Sequence, residues 1–512
     1  MKKRKIITLL ILLVTALGLC VLGGCRADKK EAISSFSQFT EPGVKVGVGI
    51  NCPEEKSLQE DYPELEVIGY YDTKLGYKDV AEGRIDAFVY SRRQLELAIE
   101  EGTTGVRILD ENYMSNSVAV GISPVTEIPN FTERLNTFIA EIKADDTIDE
   151  MLDRWVVRGD EEMPDIPEAE NPKIHLTVAT AGTEPPYTYY RNNELNGFDI
   201  ELAKRFAYWM DADLEFKIYD YGGIIAAALS GDVDCIMADL YYSEERAESL
   251  PFSDMLFDID VTALVRDENA KSALGFWESV KNSFEKTFVR ESRWKMFVSG
   301  IGTTLLVTFM SIIFGTLLGF ILFMICRNGN PWANAITKFC VWLVQGMPAV
   351  VLLMILYYII MLPLNFSATS VAIIGFMLIF GAGIYCDLTT AVGAVDSGQL
   401  EAAYALGYTN LKAFFKIVLP QAMPHFMPVY KGEITGLIKA TAIVGYIAVQ
   451  DITKMGDIVR SRTYEAFFPL IAVAIIYFIL AALLIAIVNR IEPRIDPRKR
   501  SPELIKKEVE GK

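Results

Sequence analysis

Residues 401–420 read EAAYALGYTNLKAFFKIVLP. Glu401, Ala402, Ala403, Ala405 and Leu406 favour helix, and Gly407 is a natural stop. A second short helix is expected over 411–419. It carries Phe414, Phe415, Ile417, Val418 and Leu419, and Pro420 is expected to end it. The stretch is too polar to cross a membrane, yet it lies between apolar runs. A small-residue knuckle followed by an apolar knuckle at a membrane surface suits docking into a groove on a partner protein. An ordinary interhelical loop with a glycine turn is the plainer alternative.

Around it lie five apolar stretches, at about 296–325, 335–361, 371–392, 426–449 and 468–488. The first three and the last are long enough to cross a bilayer. The fourth carries Lys431, Glu433 and Lys439, which suits a helix buried in protein or near an interface. Upstream, 274–295 alternates aromatic and basic residues, as an interfacial helix does. Five crossings that begin outside end inside. The basic tail (Arg490, Arg494, Arg498, Lys499, Arg500) belongs on the cytoplasmic side. Residues 401–420 then face the cytoplasm too, where ATP is available. Asp387, at the inner end of the third stretch, is either an intramembrane functional group or a helix-end aspartate near water.

The chain opens with MKKRK and an apolar run to Gly24, the pattern of an export signal. Leu22-Gly23-Gly24-Cys25 resembles a bacterial lipobox, which implies cleavage and a lipid on Cys25. An uncleaved anchor is the alternative. Either way, the following residues lie outside the cytoplasm. Residues 26–43 read as a tether. Short strands then alternate with amphipathic helices to 266, the pattern of an α/β fold. The proline-rich, acidic 161–172 segment interrupts them as a linker.

Of the 66 acidic and 49 basic residues, 51 acidic and 26 basic fall before residue 271. So acidic a front half argues against a nucleic-acid surface. The seven cysteines show no C-x-x-C pair and the two histidines lie far apart, so no metal site is legible. No phosphate-binding loop or nucleophile elbow occurs, and no catalytic centre is visible. Cys52 and Cys235 could pair or stay free thiols.

The motif Glu401-Ala402-Ala403, Gly407, Val418-Leu419-Pro420 resembles the coupling loop of permease subunits of ATP-binding-cassette importers. Gln345-Gly346-Met347-Pro348, Gly398-Gln399 and Gln450-Asp451-Ile452 extend the likeness to polar-amino-acid permeases. The exported half is similar to bacterial amino-acid-binding proteins. The words that carry this are T-E-P-P-Y (183–187), G-F-D-I-E-L-A-K (197–204), G-D-V-D-C-I-M (231–237), S-E-E-R (243–246) and F-S-D (252–254). G-R-I-D-A-F-V (83–89) and D-D-T-I-D-E-M-L-D-R-W (145–155) add to them. Their order is permuted: lobe 2 and the closing helices come first, and the opening of lobe 1 follows. A short bridge across neighbouring chain ends makes a circular permutation feasible. Two unrelated half-domains are the alternative.

The resemblance implies a multidomain chain. It has a two-lobed α/β binding domain of type II (44–266; lobe 2 about 44–120, lobe 1 about 121–266) and an all-α permease of five helices (296–490). The coupling loop is 398–421, 267–295 joins the two domains, and 491–512 is a cytoplasmic tail. It also implies a homodimer, a separate ATPase subunit that holds ATP and magnesium, and no cofactor on this chain. The new chain ends would fall at the hinge between lobes.

An amino acid presents a carboxylate and an ammonium, and burying either without a partner is costly. By similarity Arg246 is the carboxylate clamp, and its planar fork suits that role. Tyr187, Tyr241, Ser91, Asn51 and Cys52 are the other cleft candidates. Here the chain departs from the family. Asn51-Cys52-Pro53 replaces a Gly-Thr-Thr type of turn, Ser91 replaces an aspartate, and Glu184 and Asp239 bring carboxylates in. Either Glu184 and Asp239 bind a cationic or amine-bearing solute, or the cleft has degenerated. A ligand-gated channel or sensor on the same binding fold is the competing class. Against it, no T-V-G-Y-G filter occurs.

Overall fold

The computed structural model describes residues 32–495, apart from 51, 71, 161, 268–275, 328, 365 and 466. The expected leader, Cys25 and most of the basic tail lie outside the described residues. The chain divides into two compact units, Met1–Ser115 with Asp260–Ala273, and Asn116–Ile259 with Leu274–Lys512.

In chain order the strands are β1 (Lys45–Gly49), β2 (Glu66–Tyr70), β3 (Ala87–Ser91), β4 (Val106–Ile108), β5 (Met114–Val118), β6 (Gly121–Ile122), β7 (Ile174–Thr180), β8 (Thr183–Glu184), β9 (Thr188–Arg191), β10 (Glu194–Asn196), β11 (Ala212–Ile218), β12 (Cys235–Ile236) and β13 (Phe257–Arg266). The first unit holds a sheet ordered β2-β1-β3-β13-β4. β1 runs parallel to β2 and β3, and β13 runs antiparallel to β3 and β4. Val46, Val48, Ala87, Val89, Val261 and Ala263 are fully buried. Such β-branched and small residues suit strands covered on both faces.

The second unit repeats the pattern with the order β11-β7-β12-β6. β7 is parallel to β11 and β12, and β6 returns antiparallel to β12. The helices Phe131–Ala144 and Phe198–Met210 pack there around Phe138, Phe206, Leu135 and Leu202. Glu201 is fully buried and satisfied. It accepts from Trp155 Nε1 at 2.7 Å and pairs with Arg154 and Arg205, each at 2.7 Å.

Two expectations change. The chain crosses between units inside β5 and inside β13, so the 260–266 half of β13 belongs to the first sheet and not to lobe 1. The segment leaving toward the membrane therefore starts from a strand within the first unit. The 32–44 entry lies in that unit as well, so the chain ends do not fall at a hinge. The physical reason is β13 itself. Its 261–266 half pairs with β3 and β4 and buries Val261, Ala263 and Val265 in the first unit's core, whereas Phe257 and Ile259 pack in the second.

Among the described residues, three helices in the membrane half are long and apolar enough to span: Trp294–Arg327, Ala368–Gly393 and Phe468–Pro493. The count reaches five if each of two bent pairs is one span. Pro331–Gln345 and Ala349–Leu364 meet at 109°, at the Gln345-Gly346-Met347-Pro348 motif. A continuous second span was expected. Pro348 lacks an N–H and pushes the residue before it out of helical conformation, so the helix breaks there.

Asn410–Ile447 and Ile452–Thr463 form the other pair, bent by 60°. Pro420 was expected to end a helix. Instead a π turn, Phe414–Val418, leads straight into the helix Leu419–Ala440, with Pro420 in its first turn. The missing N–H thus falls at the seam between π and α registers. Of the charges noted there, Lys431 pairs with Glu492 at 2.7 Å.

The first and third spans approach through glycine. A Cβ on Gly319 would lie 2.6 Å from the Gly381 carbonyl oxygen, and one on Gly315 would lie 3.1 Å from that of Met377. Small residues let helix backbones approach in a bilayer, where water exclusion cannot drive them together. Gly319→Val should therefore lower the thermal midpoint in detergent, from overpacking of about 1–3 kcal/mol. Gly302→Val is the control, since a Cβ there meets nothing within 4 Å. Equal effects of the two would contradict this packing.

Candidate functional site

In parallel sheets, ligand-binding groups gather past the carboxyl ends of strands. In the second unit β7 and β12 lie side by side in parallel register. Glu184 follows β7 and Asp239 follows β12, so both carboxylates sit beyond the same edge. Glu184 Oε2 is buried and takes no hydrogen bond, and Oε1 has only a long contact of 3.5 Å with the Thr183 hydroxyl. Asp239 is 5 % exposed and adopts a left-handed φ of 54°, a conformation aspartate tolerates. Its backbone N–H donates to Asp199 Oδ2 at 2.7 Å, and its own carboxylate takes a 3.4 Å contact from the Tyr241 hydroxyl.

Arg246 lies in the short helix Glu244–Ala247, capped by the Ser243 side chain. Its guanidinium donates to the Tyr241 carbonyl at 2.9 Å. Asp239, Tyr241 and Arg246 are thus strung together. Tyr187 is not part of that string. Its ring is 1 % exposed and stacks on Phe257 at 5.9 Å, with Phe198 nearby, so it packs in the core of the second unit.

The first unit has a matching edge. Cys52 stands just past β1, at the start of the helix Pro53–Asp61. Ser91 closes the neighbouring β3, at the start of the helix Arg92–Glu100. Ser91 is fully buried and its hydroxyl takes no hydrogen bond. Asn51 lies outside the described residues. Cys235 is a buried free thiol, so the expectation that it pairs with Cys52 does not hold.

Sequence reasoning missed Asp199. It is 2 % exposed, and burial pushes its carboxyl up to about 7. Its contact with the Asp239 N–H fixes the turn that carries Asp239.

The 401–420 region has a different character. The helix Ser397–Ala405 ends in a Schellman turn. The Gly407 N–H bonds the Tyr404 carbonyl at 2.9 Å, and the Tyr408 N–H bonds that of Ala403 at 3.0 Å. Gly407 holds φ at +81°, which a side chain rarely adopts. Ala403, Phe414 and Val418 face inward, and Arg327 lies over the Phe414 ring at 4.4 Å. Glu401 and Ala402 are exposed, and Leu419 and Pro420 are half-buried. Tyr404, Leu406, Leu411 and Phe415 face outward, Leu406 being 76 % exposed.

A family model described as "Binding-protein-dependent transport system inner membrane component" matches residues 311–497. The putative glutamine transport system permease protein GlnP of Rickettsia bellii is 32 % identical over 200 residues, 39 % of this chain and 92 % of that protein. The chain belongs to this permease family. The probable amino-acid permease protein YxeN of Bacillus subtilis is 30 % identical over 203 residues, 37 % of this chain and 90 % of that protein. A crystal structure of an amino acid ABC transporter with histidines is 26 % identical, covers 44 % of this chain and all of that one, and has a TM-score of 0.37. The protein is thus a multi-pass inner-membrane permease of binding-protein-dependent transport, and the same chain carries two α/β sheets ahead of it.

The raised Asp199 carboxyl has a definite sign. Folding favours its protonated form, so its contribution is full below about pH 4 and is lost as pH rises toward 7. Asp199→Asn should raise the thermal midpoint at pH 8 and leave it nearly unchanged at pH 4. A shift of equal size at both would contradict the burial of a neutral carboxyl.

Proposed function

We propose that the chain is the fused receptor-and-permease subunit of an ATP-driven importer for an amine-bearing amino acid. The observation that supports this most is the placement of Glu184 and Asp239 beyond one strand edge in a permease of this family. Two carboxylates there suit an ammonium, and Arg246 suits the carboxylate of the same solute. The strand order supports type II lobes, since each sheet runs second, first, third, then a strand returned antiparallel. The relatives named above are permeases of glutamine or amino-acid systems, which agrees with this solute class.

The bent pairs count as one crossing each, giving five spans. The binding domain then lies outside, and the 401–420 loop and the C-terminus lie in the cytoplasm. Cys25 is lipidated. Two copies form the path, and a separate subunit binds and hydrolyses ATP. The outward Tyr404, Leu406 and Leu411 make up the surface it grips, because exposed apolar side chains on a rigid turn are ready anchors. ATP-driven closure of that subunit moves the loop and, through it, the spans.

Calorimetry on the purified full-length protein, titrated with the twenty amino acids and polyamines, tests the solute. At least one amine-bearing solute should bind, and Glu184→Gln should weaken it about tenfold or more. Uniform silence would sink the reading of the cleft. For the partner, Leu406→Glu should abolish co-purification of an ATPase subunit while the protein keeps its elution volume and thermal midpoint. Undiminished co-purification would remove the loop from that role.

A further inference from the structure

The second sheet and the membrane helices belong to one compact unit. The join between them is the turn after β11. β11 is parallel to β7, so this turn leaves the same strand edge as Glu184 and Asp239, one strand over. The Tyr219 N–H bonds the Thr180 carbonyl at the end of β7, at 3.0 Å. Lys454, only 3 % exposed, donates to the Tyr219 carbonyl at 2.6 Å and pairs with Asp220 at 3.0 Å. The Asp220 N–H bonds the Gly445 carbonyl at 3.0 Å, and the Tyr358 hydroxyl, which bonds the Tyr446 carbonyl at 2.8 Å within the permease, lies 3.4 Å from the Gly223 carbonyl of the turn.

The approach is backbone to backbone on both sides. A Cβ on Gly223 would lie 2.8 Å from the Tyr446 carbonyl oxygen, and one on Gly445 would strike the Asp220 carboxylate. A second strut stands beside the first. Gln450 Nε2 donates to the Tyr190 hydroxyl at 3.1 Å, and the Arg462 guanidinium lies 5.0 Å from the Tyr189 ring centre.

The permease groups in this contact come from its bent places. Tyr358 lies in the π segment Ile355–Met361 of the first bent pair. Gly445 and Tyr446 lie in the 3-10 turn Thr441–Ile447, at the break of the second. Lys454, Arg462 and the capping Asp451 belong to the helix Ile452–Thr463 just past that break.

The helix after the turn, Tyr221–Ser230, reads YGGIIAAALS and has no charged residue. A lobe that regularly floated free would show a polar stripe there, since a helix apolar on all sides is a buried one. Its Ile224, Ala227 and Ala228 share one apolar cluster with Tyr357, Val444 and Ile447 of the permease. Faces that associate transiently are more polar than this, and seldom bury a lysine so fully.

We infer that the second lobe is a resident part of the permease's external gate. It stays seated on the second span break, and on the π segment of the first bent pair, through its 219–223 turn for the whole transport cycle, and does not dock and leave. This rests on the import reading above and adds to it where the solute is handed over. The turn that carries Asp220 and the edge that carries Glu184 and Asp239 are one rigid strand apart. A change at the solute site is thus delivered to the second break within the chain.

Two measurements test it. Hydrogen exchange on the unmodified protein should show peptides covering 219–223 slow to exchange in nucleotide-free and vanadate-trapped states of the assembled transporter. Loss of protection in either state would overturn the inference. Second, in a background stripped of accessible cysteines, Gly222→Cys with Tyr446→Cys should cross-link through a short bis-thiosulfonate reagent equally in both states. ATP-driven uptake should then stay within about twofold of the uncross-linked protein. A cross-link confined to one state, or one that abolishes uptake while the reagent spares the parent, would overturn it. Absence of uptake by the parent itself would instead count against the import reading, because exchange and cross-linking report the seating without transport.

Discussion

The ammonium of Lys454, held at 2.6 Å by the Tyr219 carbonyl and at 3.0 Å by Asp220, is the contact on which the rest of the second unit turns. A lysine this deeply buried needs both partners, because an unpaired buried charge is among the costliest defects a fold can carry. Both partners stand on the turn after β11. The contact therefore fixes the α/β sheet to the membrane helices at a chosen height and register. The glycines at 223 and 445 are the steric counterpart, the first leaving room for the Tyr446 backbone and the second for the Asp220 carboxylate.

From that constraint the layout follows. One strand edge carries three consecutive outlets. The turn after β11 meets the permease, and the outlets of β7 and β12 carry Glu184 and Asp239. On the permease side, the Gly445 and Tyr446 carbonyls that meet the lobe lie in the 3-10 turn Thr441–Ile447, next to the break in the helix. Irregular backbone at membrane level is tolerated where protein or a polar cavity covers it. Here the seated lobe provides part of that cover. The 401–420 loop is built to other rules, with a rigid Schellman turn and outward apolar side chains that suit a grip from another subunit.

Much of this was legible in residues. The three unbroken spans announced themselves by length, and 401–420 by its glycine stop, which the structure makes a left-handed cap at Gly407. Strands at 44–49, 85–90 and 176–179 were readable from their short apolar runs, with period-two alternation at 44–49. The breaks were not, although Pro348 gave a signal, because apolar content alone does not distinguish a straight span from a bent one. At Pro420 the signal misled, since a π turn took up the missing donor. β13 was missed as a strand of the first sheet. Its alternation was readable, but which sheet it would join depends on ladder partners far away in the chain. Of the solute candidates, Tyr187 packs against Phe257, while Asp199, which the sequence did not single out, holds the Asp239 turn. The seating of the lobe was hidden, though the uncharged helix 221–230 was its one mark in the sequence.

The most direct measurement of the central claim is uptake of a labelled amino acid by proteoliposomes that contain this protein and its ATPase partner, with no separate binding protein added. The account predicts saturable uptake that requires ATP and is unchanged when soluble amino-acid-binding proteins are supplied. Uptake that appeared only after a separate binding protein was added would contradict it.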